Sequence, residues 1–112
     1  MEPLSIALTN VFPDAGEHTA AFAIGQINVP EAGRYRVALG SDDGFAFWSD
    51  GTLVGQDARS RAYVARENEF ELDWAAGPHT LIIRVNQNQG PWSLGVQIDD
   101  VSDDWPARLS WQ

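Results

Sequence analysis

The sequence predicts an all-β fold, an antiparallel β-sandwich of the jelly-roll type with seven to eight strands. Three observations carry this. Apolar residues recur with period two in run after run, the spacing that puts alternate side chains on one face of a sheet. No stretch of eleven residues keeps a helical period. Clusters of Gly, Pro, Asp and Asn punctuate the runs at short intervals, as turns require. At 112 residues the chain reads as a single domain, 1–112, with no repeat, low-complexity stretch or linker dividing it. A domain of that size buries about two-thirds of its unfolded surface, enough for one core without covalent staples.

Each element follows from its own residues. Leu4, Ile6 and Leu8 alternate with polar or small residues and give a short first strand, before a loop over 10–18 that holds Pro13, Asp14 and Gly16. In 20–29 the larger residues are Phe22 and Ile24, then Ile27 and Val29. Their phase slips by one at Gly25-Gln26, which predicts a β-bulge. Pro30-Glu31-Ala32-Gly33 is a turn, and Tyr35, Val37 and Leu39 then alternate with Arg34, Arg36 and Ala38. After the polar Ser41-Asp42-Asp43-Gly44 loop, Phe45 and Phe47 share a face with Ala46 and Trp48 opposite. Asp50-Gly51 turns this strand in a hairpin whose return is 52–54, with a loop over 56–60 and a further strand start at 62–64.

Phe70, Leu72 and Trp74 point one way, and Glu69, Glu71 and Asp73 the other. Ala75-Ala76-Gly77-Pro78 turns the chain as a hairpin into the inward row Leu81, Ile83 and Val85. A polar loop over 86–91 leads to Trp92, Leu94, Val96 and Ile98. The last residues, 101–112, read as an edge strand or a tail.

Composition narrows the function. The chain has no Cys, which excludes disulfides, Cys-ligated zinc and thiol nucleophiles. Sixteen acidic residues against seven Arg and no Lys give a net charge of −9, a surface that repels phosphate backbones and anionic membranes. Nucleic acid is therefore not an expected partner, and no apolar run is long enough for membrane insertion by a helix. Met1-Glu2-Pro3-Leu4 lacks a basic start and an apolar run, so no signal peptide is read. The chain is then either cytoplasmic or a mature or excised domain of an exported protein.

Catalytic signatures are missing. The two His, His18 and His79, share no ligand spacing, and no nucleophile elbow, zinc-protease or phosphate-loop motif occurs. With sixteen acidic residues, some carboxylate pair meets the spacing of a glycosidase by chance, so that spacing argues nothing. The expectation is a protein that is not an enzyme.

Three constellations bear on binding. Asp42 and Asp43, adjacent in a loop between two strands, suit a hard cation with oxygen ligands, above all Ca²⁺. The same Asp-Asp-Gly is also a good turn. Asn86, Asn88 and Gln89 make the 86–91 loop rich in amides, which offer donors and acceptors to sugar hydroxyls. Such residues equally make a solvated loop. Trp74 and Trp92 continue inward rows, whereas Trp48 lies on the opposite face from Phe45 and Phe47. An exposed indole there stacks on the apolar face of a pyranose or packs under the 56–60 loop.

The order of these motifs resembles the protective-antigen-like lectin domain, and more loosely the galactose-binding-like jelly rolls attached to glycosidases. The segments that carry the resemblance are VPEAGRYRVALGSDDGFAFWSDGTLV and FELDWAAGPHTLIIRVNQNQGPWSLGVQI, within roughly residues 24–98. In the sugar-binding relatives, such as fungal flocculins and epithelial adhesins, two consecutive Asp bind Ca²⁺. An Asn and backbone carbonyls from a later loop complete the ion, which contacts sugar hydroxyls directly. The resemblance places Asp42 and Asp43 as the Asp pair. It places Asn88, four residues before Trp92, as the Asn, with Asn86 as the alternative.

The reading that results is a non-catalytic carbohydrate-binding module of a larger exported protein, extracellular or at a cell surface. Asp42, Asp43 and Asn88 hold Ca²⁺, and Asn86, Gln89 and Trp48 or Trp92 flank a neutral glycan. Two alternatives remain open: a structural module that orients neighbouring domains or self-associates, and a small carboxylate-dependent enzyme.

Overall fold

The computed structural model describes residues 4–7, 19–57, 68–87, 93–98, 102–103 and 108–111, with the short terminal segments as backbone only. Its strands are β1 (Leu4–Ala7), β2 (Thr19–Val29), β3 (Gly33–Asp42), β4 (Phe45–Ser49) and β5 (Thr52–Asp57). They continue as β6 (Asn68–Trp74), β7 (Gly77–Gln87), β8 (Ser93–Ile98), β9 (Ser102–Asp103) and β10 (Arg108–Trp111).

The strands form two antiparallel sheets, one in the order β1-β8-β3-β6 and the other β10-β2-β7-β4-β5, with β9 also on β2. The first eight strands pair in a nest: β1 with β8, β2 with β7, β3 with β6, and β4 with β5. That nesting is the jelly roll the sequence predicts. The two C-terminal strands lie on β2 at the edge of the larger sheet, so 101–112 supplies edge strands.

The core lies between the sheets. Val37, Leu39, Leu94, Val96 and Ile98 from the smaller sheet meet Phe45, Phe47, Leu81, Ile83 and Val85 from the larger. Each such side chain, taken out of water, contributes about 1.5–3 kcal/mol. Phe70 joins from β6, with its ring 6.1 Å from Phe45 and 5.8 Å from Phe47. It packs so closely on β5 that a Cβ on Gly55 would sit 2.6 Å from its ring.

Three expectations are corrected. β2 carries no bulge: it pairs with β7 in unbroken register from Thr19↔Gln87 to Val29↔Gly77. Its inward set is Ala21, Ala23, Gly25, Ile27 and Val29, all buried, while Phe22 and Ile24 lie half-buried on the outer face. The larger residues misled the phase because the bulk in those rows comes from their β7 partners Val85, Ile83 and Leu81. The irregularity sits instead in the β4–β5 hairpin, between Phe47 and Trp48. Second, Ala75 and Ala76 join β6 to β7 across the two sheets, so that turn is a crossover and not a hairpin. Third, Gln56 and Asp57 belong to β5 and not to a loop. The strand start expected at 62–64 and the loop at 10–18 lie outside the described residues.

Candidate functional site

The nested pairing brings the polar connections to one end of the sandwich. β3 runs into β4 there through Asp43 and Gly44, changing sheets as it goes. The same end holds the last residue of β1, the first of β2, the last of β5 and of β7, and the first of β6 and of β8. The three longest connections, over 8–18, 58–67 and 88–92, therefore all leave from it.

Asp42 and Asp43 are buried, at 7% and 5% exposure, in a chain whose other described carboxylates lie mainly on its surface. The peptide bond between them is cis. Backbone bonds fix the pair to β7: the Asp43 N–H donates to the Asn86 carbonyl at 2.8 Å, and the Asn86 N–H donates to the Gly44 carbonyl at 2.7 Å. The buried Ser41 hydroxyl donates to the Asp43 carbonyl at 2.8 Å. Burial raises the Asp42 carboxyl above the usual range, and the neighbouring charge and hydrogen bond of Asp43 add to the rise.

Two adjacent acid groups held out of water offer carboxylate oxygens, the donor type suited to a hard divalent cation. Among the described residues no group of three acidic, His or Cys side chains gathers.

Asn86 is thus beside the Asp pair, held by its own backbone. Asn88, Gln89 and Trp92 lie outside the described residues. Trp48 is not brought to the pair. It stands opposite Ile82 on the outer face of the larger sheet, four residues along β7 from Asn86, or about 13 Å. Trp74 is core, as its row predicts, at 4% exposure.

The opposite end is locked by a cluster that sequence reasoning missed. Asp50 and Gly51 form the β4–β5 turn with positive φ of 51° and 83°, which Asp-Gly tolerates well. The Asp50 carboxylate meets His79 Nδ1 at 2.6 Å and accepts the Thr80 N–H at 2.9 Å. His79 Nε2 lies 2.7 Å from the Ala75 carbonyl. Both ring nitrogens face acceptors, so both bonds are donated together only by the imidazolium. The ring stacks on Trp74 at 5.4 Å, and the Trp74 indole N–H donates to Ser49 Oγ at 3.0 Å. Burial alone would depress His79, but the Ala75 carbonyl and the Asp50 carboxylate outweigh it and raise its pKa. Burial likewise opposes Asp50, and the bonds from His79 and Thr80 win, lowering its pKa.

No family model matches the chain, and no curated protein does. Solved structures share its fold. An anti-sigma factor domain-containing protein superposes with a TM-score of 0.65 at 16% identity, covering 81% of this chain and 33% of that one. The Pleurotus ostreatus lectin, in its apo form, gives 0.61 at 20% identity, covering 96% and 32%. A PA14 sugar-binding domain from an RTX adhesin gives 0.58 at 18%, covering 80% and 53%. The chain spans a third to about half of the length of these proteins. At such identities the likeness establishes the β-sandwich fold.

Proposed function

We propose that this chain is a non-catalytic carbohydrate-binding module that holds its glycan through a Ca²⁺ ion at the loop-bearing end of the sandwich. The observation that carries the reading is the buried Asp42–Asp43 pair, clamped by backbone bonds to Asn86. Buried carboxylate oxygens from two adjacent residues are an arrangement that a bound divalent cation would stabilise. Asp42 and Asp43 would hold the ion, with oxygens of Asn86 or Asn88 completing it. Ca²⁺ held there would supply a Lewis-acidic centre for sugar hydroxyls, and the sequence offers Gln89 and Trp92, between β7 and β8, as further sugar contacts.

Two further facts support the reading. The fold is shared with a protein described as a lectin and with a domain described as sugar-binding. The net charge of −9 favours neutral glycans over sulfated or uronic ones. An adhesin among the structural relatives supports an extracellular or surface setting within a larger exported protein.

A glycan array probed with Ca²⁺ and again with a chelator tests this. Binding that depends on Ca²⁺ and is lost in Asp43→Ala is expected. Ca²⁺ affinity by calorimetry that is unchanged in Asp43→Ala would overturn the metal site.

A further inference from the structure

The outer face of the larger sheet breaks the rule that a solvent-facing sheet surface is polar. Its register aligns Ile24, Ile82, Trp48 and Leu53 in one row across β2, β7, β4 and β5. Adjacent strands lie about 4.8 Å apart, so the row is about 14 Å long. Phe22, Ile24, Trp48, Gly51 and Ile82 line an open hollow of about 410 Å³. Leu53, at 44% exposure, extends it to the sheet edge.

Beside this floor lies an unusual cation. The Arg84 guanidinium sits 5.7 Å from the centre of the Trp48 ring, bracing the indole. Its Nε is buried without a hydrogen-bond partner. Arg34 and Arg36 on the other sheet pair with Glu71 and Asp73. Among the described residues Arg84 holds no carboxylate, in a chain with sixteen acidic residues. The remaining outward positions nearby on β2, β7 and β5 are uncharged, Gln26 and Thr80 in one row and Gln56 in the Arg84 row through Ala46, while Arg108 of β10 holds the next position of the apolar row beyond Ile24.

Charge selects among occupants. A second copy brings another −9 to the contact, and a polyanion meets the same long-range repulsion. A purely apolar ligand would cover the Arg84 guanidinium without offering it an acceptor. An uncharged molecule with one apolar face and a ring of hydroxyls fits all three features. The C–H face of a pyranose covers Trp48 and Ile82, and its oxygens accept from Arg84 and meet Gln26, Thr80 and Gln56.

We infer that this sheet face is a second, metal-independent site for the pyranose rings of a neutral glycan chain. It rests on the reading of the domain as a glycan binder but uses none of the residues of the cation site. The site is separate from Asp42 and Asp43, and a chain long enough to cross the row contacts several strands at once.

The test measures binding of cellohexaose, xylohexaose and mannohexaose to the whole domain, by calorimetry in excess EDTA. Binding of at least one is expected, weakened about tenfold by Trp48→Ala and severalfold by Arg84→Gln. Because Trp48→Ala could unfold the sheet face, the wild type is also followed by NMR. The Trp48 indole N–H peak, assigned through Trp48→Phe, should move on titration in EDTA. Binding that needs Ca²⁺ and leaves that peak still would overturn the second site while sparing the first. Silence from all three sugars in EDTA would overturn the second site, and the array with Ca²⁺ would still decide the first separately. Preference for polygalacturonate, or a stable dimer by light scattering that buries Trp48, would show that the charge argument chose the wrong occupant.

Discussion

Asp50→Asn is the sharpest probe of the locked end. Asn keeps the tolerance for positive φ that the turn needs and keeps an acceptor for Thr80, but it removes the charge that His79 faces. A hydrogen bond between charged partners contributes about 1.5–3 kcal/mol when shielded. Here the His79 side chain is 12% exposed but that of Asp50 is 48% exposed, so solvent screening lowers the expected loss to about 1 kcal/mol. For a domain of this size that corresponds to about 4–6 °C in Tm.

The pH dependence has a definite sign. The raised pKa of His79 gives stability that is complete below the unfolded value of about 6.5 and is lost as pH rises through the folded one. The lowered pKa of Asp50 gives stability present above about 3.9 and lost as pH falls through its folded value. The pair is therefore strongest between about pH 4 and 6.5. Urea denaturation of wild type and Asp50→Asn, from pH 5 to 9, should show curves that differ near pH 5.5 and converge at the alkaline end. His18→Gln in both backgrounds removes the other imidazole of the chain from the comparison. A difference that stays constant across this range, or none at pH 5.5, would refute the imidazolium.

Three other outcomes follow from the packing. Gly55→Ala drives a methyl against the Phe70 ring, 2.6 Å away, and should cost about 1–3 kcal/mol in urea melts, with relief in the Gly55→Ala, Phe70→Leu double variant. Trp74→Phe removes the indole donor to Ser49 and part of the stack on His79, and should cost about 1–3 kcal/mol; a double-mutant cycle with Ser49→Ala isolates the hydrogen bond. Asp42→Asn relieves one of two adjacent buried charges, so in EDTA its Tm should exceed that of the wild type. Millimolar Ca²⁺ should raise the wild-type Tm and leave this variant unmoved, as differential scanning fluorimetry would show.

The alternation of Tyr35, Val37 and Leu39, and that of Phe70, Leu72 and Trp74, was legible because each inward row is large and each outward row charged. β2 was not legible because both its faces are apolar and the inward one is the smaller: Ala21, Ala23 and Gly25 against Phe22 and Ile24. The turn at 75–76 was misread for another reason. A local sequence specifies that the chain reverses, but which sheet receives the next strand is decided by distant partners, here β2 and β4.

At the candidate site, the Asp pair and the outward phase of Trp48 could be read from residues. The clamp from Asn86 could not, since it uses backbone groups common to every residue. Nor could the meeting of Asp50 with His79, which are 29 positions apart. A turn Asp and a post-turn His carry no mutual spacing signal until the topology sets their ends side by side.

The nested pairing also sets the order in which this chain can assemble. Among the described strands, β4 and β5 alone are sequence neighbours that pair directly, so the Asp50–Gly51 hairpin is the least expensive of these contacts to form. Each pair outside it encloses the one before, and closing β1 on β8 without the inner pairs would tie together nearly the whole chain. Loop-closure entropy therefore favours zipping outward from the hairpin, and a topology this rich in distant pairings belongs among slow folders. The charged lock on that turn cannot form until β7 arrives, so it does more than hold one end of the finished molecule: it fastens a late strand back onto the hairpin that formed first.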